Sequence, residues 1–141
     1  MGKYKVKNIT GKTISFDFDG TLSDDFDDTF NSQKEEIKDI LNQYRSLGNK
    51  VFIVTKRYSA KNGSLGKVNE HIDVYKLGLE LGLSDNEIFF TERNLKGVML
   101  SHLNVDIHFE NSEYELHDIN TYSKKTQVIL ITDPYWRDLI Y

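Results

Sequence analysis

The stretch that decides the fold lies near the amino terminus and reads Phe16-Asp17-Phe18-Asp19-Gly20-Thr21-Leu22. Apolar side chains at Ile14, Phe16 and Phe18 alternate with polar ones, a pattern typical of a β-strand that presents side chains to two faces. Gly20 then ends the strand. The Asp-Gly-Thr sequence alone is also ordinary turn chemistry, because tight turns select Asp and Gly. The rest of the chain has to decide between a structural and a chemical role for the two aspartates.

Composition narrows the class of protein. The chain has 141 residues, and we expect a single domain over residues 1–141. Its formal net charge of −4 gives no general reason to expect nucleic acid or an anionic membrane as a partner. The absence of cysteine excludes disulfides, thiolate metal sites and a cysteine nucleophile. The apolar runs are shorter than a bilayer span or a signal peptide requires, so we expect a cytoplasmic protein without a membrane partner.

Strand-like and helix-like segments alternate along the rest of the chain. The segment from Lys50 to Thr55 contains the apolar run Val51 to Val54 and predicts a strand that is covered on both faces. Further strands are predicted at 87–91, 105–109 and 128–131, and apolar residues at helical spacing predict helices between them. This alternation predicts an α/β fold, a Rossmann-like three-layer α/β/α arrangement around a mainly parallel five-stranded sheet.

Smaller features of the pattern predict local structure. Ser32 with Glu35, and Ser112 with Glu115, match the capping box that begins a helix, and Asn94 is predicted to cap the helix between them. Residues 4–9 alternate weakly and predict an edge strand or a hairpin arm, whereas residues 56–67 predict a basic loop. The histidines lack metal-ligand spacing, so we expect structural or exposed roles for His71, His102, His108 and His117.

Polar residues follow four of the predicted strands. They are the aspartates Asp17 and Asp19, then Thr55, then Lys96 near the start of the third helix, and finally the pair Glu110-Asn111. Each has an ordinary structural reading as a turn, strand-end, solvated or helix-capping residue. In an open parallel sheet, however, ligands bind where the strands end at their carboxyl edge. Because all four signals lie at the carboxyl edge of the predicted sheet, together they favour a functional site.

This combination resembles the haloacid dehalogenase (HAD) superfamily of phosphohydrolases. The resemblance is carried by the Asp17 to Leu22 motif, the strand that ends in Thr55, Lys96, and Glu110-Asn111 in place of the usual pair of aspartates. It covers the chain from about Thr13 to Ile131 and implies a HAD-like fold. The segments between the predicted strands leave no room for a large cap, and small capless proteins of this pattern resemble those carried by bacteriophages.

The resemblance implies a phosphatase reaction, the hydrolysis of a phosphomonoester. Asp17 would attack phosphorus and become an aspartyl phosphate. Asp19 would give a proton to the leaving oxygen and later accept one from the attacking water. Thr55 and Lys96 would complete the catalytic set by binding and neutralising the transferred group.

The same resemblance implies a cofactor and a substrate-binding set. Carboxylates that face a phosphate dianion need a hard divalent cation, and Mg²⁺ is the natural choice. Its ligands would be Asp17, the backbone carbonyl of Asp19, and Glu110 with Asn111. Substrate binding is assigned to Gly20, Thr21, Lys56 and Arg57. The order Thr55-Lys56-Arg57 resembles the Ser-x-Arg arrangement of the phosphatase domain of polynucleotide kinase-phosphatases.

A capless phosphatase would have an open site, which suits a phosphorylated substrate such as a nucleotide or a nucleic-acid end. The acidic segment 24–28 argues against long polyanions. Two other functions stay open at this point. One is a phosphoacceptor signalling domain like the response-regulator receivers, and the other is a non-catalytic binding protein on the same fold. The sequence carries no signal for oligomeric state.

Overall fold

The structure, a computed structural model, describes residues 4–59 and 69–141. Five parallel strands form one sheet in the order β3-β2-β1-β4-β5. Their bounds are β1 Thr13–Phe16, β2 Lys50–Thr55, β3 Ile88–Phe90, β4 Ile107–Glu110 and β5 Gln127–Leu130. The predicted α/β fold with a five-stranded parallel sheet is therefore confirmed.

Within the described residues, four α-helices cover the two faces of the sheet. They are α1 Lys34–Ser46, α2 His71–Glu80, α3 Gly97–His102 and α4 Glu113–Tyr122. Helices α1 and α2 pack in the larger hydrophobic cluster, and α3 and α4 pack in a smaller cluster on the other face. In the part of the chain that the structure describes, no helix has both the length and the apolar composition needed to cross a membrane.

The strand order places a switch point between β1 and β4. From β1 the chain moves outward through β2 to β3, and then returns to lay β4 on the other side of β1. Open α/β sheets bind ligands in the crevice at such a reversal, outside the carboxyl ends of the strands. The sheet therefore directs the residues that follow β1 and β4 into one crevice.

Some local predictions are wrong. Residues 4–9 form no strand; instead Val6 N donates to Gln43 Oε1 at 2.9 Å and Lys7 N donates to Ile140 O at 2.8 Å, so this segment docks on α1 and the carboxyl terminus. None of the three predicted helix caps makes a side-chain cap hydrogen bond. The cap positions of α1 and α3 are Gln33 and Lys96 instead of the predicted Ser32 and Asn94. Ser112 does occupy the cap position of α4, but its side chain does not bond to the helix. The predicted basic loop lies outside the described residues from position 60 onward.

The ring of Phe109 anchors the core beneath the switch point. It is fully buried and stacks on Phe16 with ring centroids 4.6 Å apart. Replacing Phe109 by Ala should lower the free energy of unfolding by about 3–5 kcal/mol, because it removes a buried ring and leaves a cavity. Urea denaturation measures this loss. Tyr114→Ala, which alters an exposed ring on α4, is the control and should change stability by less than about 0.5 kcal/mol. Equal effects of the two substitutions would contradict this view of the core.

Candidate functional site

Asp17 lies at the floor of the crevice between β1 and β4. Its backbone N–H donates to Phe109 O at 2.9 Å, which extends the pairing of the two strands by one step. The chain then turns through Phe18–Leu22, where Gly20 has a φ of +74°. A Cβ on Gly20 would collide with the side-chain amide of Asn111. Glycine is required here both by the left-handed backbone and by the close approach of Asn111.

A buried ammonium group joins the two strands at this floor. Lys96 is 1% exposed, and its Nζ donates to Asp17 Oδ1 at 2.6 Å and to Glu110 Oε1 at 2.8 Å. Burial disfavours the charged lysine, but the charges of Asp17 and Glu110 outweigh burial and raise the pKa of Lys96 above its usual range. Three residues that are far apart in sequence thus form one buried ionic cluster.

The two carboxylates of this cluster differ in their titration. Burial, together with the charge of Glu110, raises the pKa of Asp17 well above its ordinary value. Burial also acts against the charge of Glu110, but Lys96 and the hydrogen bond from His108 outweigh it and lower the pKa of Glu110 to about 2. One ammonium charge does not neutralise two buried carboxylate charges, and the pKa of Asp17 is the one that rises.

The side-chain amide of Asn111 lies between the remaining oxygens of these carboxylates. With its nitrogen toward them, it donates to Asp17 Oδ2 at 2.9 Å and to Glu110 Oε2 at 3.2 Å. With its oxygen toward them, three oxygens converge and need a cation between them. Because amide orientation follows from the hydrogen-bond partners, the presence of a cation decides which orientation holds.

The oxygens of this cluster fit a hard cation. Mg²⁺ binds through one or two carboxylates and neutral oxygens and keeps several waters. Within residues 4–59 and 69–141, no group of three or more His, Cys, Asp or Glu side chains is arranged to hold a metal by itself. The donor set would therefore be Asp17, Glu110 and the amide oxygen of Asn111, completed by the backbone carbonyl of Asp19 and by water.

The second aspartate has different surroundings. The Arg57 guanidinium forms a bidentate ion pair with the Asp19 carboxylate. Nε donates to Oδ2 at 3.0 Å, and Nη2 donates to Oδ1 at 2.7 Å. The third nitrogen, Nη1, donates to the backbone oxygen of Glu70 at 2.7 Å and to Asp73 Oδ2 at 3.4 Å. In this arrangement Arg57 orients Asp19, and its predicted contact with substrate stays a prediction.

The other predicted residues support the floor or line its wall. Thr21 Oγ1 donates to Asp17 Oδ2 at 3.2 Å, and the buried Thr55 accepts the backbone N–H of Arg57 at 3.3 Å. Lys56 Nζ lies 3.5 Å from Glu115 Oε2, while Glu115 Oε1 accepts the backbone N–H of Lys96 at 2.9 Å. Glu115 therefore connects both lysines instead of closing the predicted capping box.

A polar cavity of about 220 Å³ opens above this floor. Its lining consists of Asp17, Asp19, Asp25, Lys56, Lys96, Glu110, Asn111, Ser112 and Glu115. Pockets for drug-sized ligands measure about 300–1,000 Å³, so this cavity suits a small reacting group with the remainder of a ligand outside it. Six of the residues predicted from sequence lie in this lining.

His108 is a site residue that sequence reasoning missed. It is fully buried, and its Nε2 lies 2.9 Å from Glu110 Oε1 while its Nδ1 lies 2.6 Å from Ser15 Oγ. One sequence signal pointed to it, because residues 108 and 110 of one strand face the same side. The pairing of His108 with Ser15 follows from the register of β1 on β4, which only the structure gives.

Replacing Asp17 by Asn should raise the free energy of unfolding of the metal-free protein at pH 7 by about 1–2 kcal/mol. Because folding raises the pKa of Asp17, the folded wild type loses stability as the pH rises above the unfolded-state pKa of about 4. The gain should therefore shrink as the pH is lowered toward 4. Urea titrations across this range in a chelator measure it, and a gain that grows on acidification would contradict the assignment.

Comparisons of the chain with protein-family models, with curated proteins and with solved structures gave no match. What the protein does has to be inferred from its own residues. The features available for this inference are the buried Asp17-Lys96-Glu110 cluster, the Asn111 amide beside it and the cavity above them.

Proposed function

We propose that the protein is a Mg²⁺-dependent phosphomonoesterase of the HAD type that forms an aspartyl phosphate on Asp17. The observation that carries the proposal is the setting of Asp17 at the switch point. Lys96 Nζ binds one of its oxygens at 2.6 Å, and Thr21 and Asn111 adjoin the other oxygen below a small polar cavity. A nucleophilic carboxylate needs this kind of fixed orientation and nearby positive charge.

The reaction has two half-reactions. In the first, an Asp17 oxygen bonds to phosphorus, the bond from phosphorus to the leaving oxygen breaks, and Asp19 gives that oxygen a proton. In the second, water attacks the same phosphorus and passes a proton to Asp19. The bond between phosphorus and the Asp17 oxygen then breaks, which releases inorganic phosphate and restores both aspartates.

The chain's own residues supply most of the electrostatics. Lys96 neutralises part of the charge that builds up on the transferred group, and Lys56 lines the same cavity with an ammonium group that is partly exposed. When bound by Asp17, Glu110 and Asn111, Mg²⁺ would polarise the phosphoryl group and supply the positive charge that Lys96 alone lacks.

The substrate proposed is a phosphorylated molecule larger than the cavity, with nucleotides or nucleic-acid terminal phosphates as the leading class. The cavity holds the reacting group and leaves the remainder of the molecule outside. Asp25 lines the same cavity and would repel a second phosphate, which favours a monoester over di- and triphosphates. A panel of nucleoside mono-, di- and triphosphates and of 3′- and 5′-phosphorylated oligonucleotides separates these classes.

A phosphoacceptor signalling domain is the second candidate. The bidentate contact of Arg57 with Asp19 favours it, because both carboxylate oxygens accept from the guanidinium, and an Asp19 held in this way is not free to pass a proton to a leaving oxygen. The strand order counts against it. Receiver domains have the flavodoxin-like order 2-1-3-4-5, whereas this sheet has the order 3-2-1-4-5.

Asp17→Asn should lower the Mg²⁺-dependent hydrolysis of p-nitrophenyl phosphate by at least about a thousandfold, because it removes the nucleophile. Asp138→Asn, which changes an exposed aspartate near the carboxyl terminus, is the matched control and should keep wild-type activity. Mass spectrometry of acid-quenched wild type should find a phosphoryl group on the peptide that contains Asp17.

Two results would redirect the proposal. A phosphoenzyme that lasts for minutes without turnover would support the signalling domain. Neither hydrolysis nor divalent-cation binding, across the whole panel of phosphate esters, would support a non-catalytic binding protein.

Asp19→Asn tests the proton transfer separately. An alkyl phosphate has a poor leaving group and depends on the proton from Asp19, whereas p-nitrophenolate leaves without one. The variant should therefore lose about 10–100-fold more activity on the alkyl ester than on the aryl ester. Equal losses on both esters, measured as kcat/KM, would show that Asp19 does not act as the general acid.

A further inference from the structure

We propose that His108 is a positioning residue that fixes the Glu110 carboxylate so that one of its oxygens faces the metal site. This inference rests on the metal site of the proposed function and adds to it a residue outside the motifs that predicted that site. His108 acts through Glu110 and lies beneath the cavity, out of reach of a substrate.

Both oxygens of Glu110 have fixed partners. Oε1 accepts from Lys96 Nζ at 2.8 Å and lies 2.9 Å from His108 Nε2. Oε2 accepts the backbone N–H groups of Asn111 at 3.1 Å and of Ser112 at 3.3 Å, and it also faces the Asn111 side chain. Without the hydrogen bond from His108, Oε1 would be held by Lys96 alone, and the plane of the carboxylate would be less firmly fixed relative to the metal site.

The hydrogen-bond pattern fixes the direction of the histidine contacts. Glu110 Oε1 already accepts from Lys96 Nζ, and carboxylate oxygens act as acceptors, so we assign the hydrogen to His108 Nε2, which donates to Oε1. In that tautomer Nδ1 accepts, and the Ser15 hydroxyl donates to it across 2.6 Å. Ser15 thus orients the His108 ring, and the ring orients Glu110, which would bind the cation.

A buried histidine that merely fills the core would not need this direction. The side of β4 that carries His108 and Glu110 is otherwise built for charge, because Lys96 and Asp17 meet there. Residues that orient a metal ligand through a hydrogen bond typically change metal affinity by about 10–100-fold when they are replaced. A residue that only packs would change stability and leave metal affinity unaltered.

Two substitutions separate these roles because each copies one half of the ring. In His108→Gln the amide nitrogen reaches the place of Nε2 and can still donate to Glu110. In His108→Asn the shorter amide reaches only the place of Nδ1, beside Ser15. The Kd for Mn²⁺, followed by electron paramagnetic resonance on the full chain, should stay within about threefold of wild type in the Gln variant and rise about 10–100-fold in the Asn variant.

Thermal unfolding and a buried control keep a folding defect apart from a loss of positioning. Thr126→Val removes hydroxyl contacts to Ser123 Oγ and Val105 O at the opposite end of the sheet, so it should lower stability and leave the Kd for Mn²⁺ unchanged. The proposal is supported if Gln and Asn variants of similar melting temperature differ in Kd as stated. It is overturned if they bind Mn²⁺ equally, whether both match wild type or both lose affinity in step with stability.

The same titration distinguishes failure of this inference from failure of the proposed function. Wild-type protein that binds no Mn²⁺ would remove the metal site, and both proposals would fall. Wild-type protein that binds Mn²⁺ as tightly as every His108 variant would remove the positioning role alone. In that case the phosphatase proposal would stand on Asp17.

Discussion

The pairing of one buried ammonium group with two buried carboxylates is the constraint on which the site depends. Lys96 lies between Asp17 and Glu110, and all three are almost completely withdrawn from water. The free energy needed to remove buried charges from water offsets much of the Coulombic attraction between them. In this cluster, moreover, one positive charge faces two negative charges. Such a cluster is a poor way to stabilise a fold. The cation that we propose for this site would offset the remaining negative charge at the switch point.

The fold explains how the cluster is assembled. The three residues come from the ends of β1 and β4 and from the turn into α3, and the crossovers of a parallel sheet bring these positions to one edge. The stacked rings of Phe16 and Phe109 lie directly beneath and keep the two strands in register. Gly20 lets the turn after Asp17 pass close to Asn111. Packing, backbone conformation and charge thus depend on the same few positions.

Sequence alone predicted the parts of the protein that follow from periodicity and topology. The β2 strand has the predicted bounds, and Asp17, Lys96 and Glu110 meet as the rule for carboxyl edges predicts. Helix caps were predicted poorly, because they depend on a residue or two of backbone geometry that tertiary contacts can override. Glu115 shows this, since its carboxylate turned from its own helix to the backbone of Lys96.

The role of His108 escaped prediction for a different physical reason. Period-two alternation puts residues 108 and 110 on one face, but the meaning of that face depends on which strand lies alongside and in what register. Register is a tertiary property, and the partner of His108, Ser15, lies 93 residues away. The local sequence pattern therefore identified Asp17 and Glu110, which follow or end their strands, and missed His108, which contacts Glu110 from within β4.

The two aspartates of the opening motif acquire distinct characters from residues outside it. Asp17 lies against an ammonium group in the buried floor, while Asp19 is held from the side by the fork of Arg57. The guanidinium of Arg57 is itself stacked, 4.9 Å from the ring centre of Phe18 and 5.1 Å from that of Phe26. Phe26 belongs to the acidic segment 24–28, and Arg93 stacks on the same ring. Two carboxylates with such different surroundings are suited to different tasks, which is what a nucleophile and a proton carrier require.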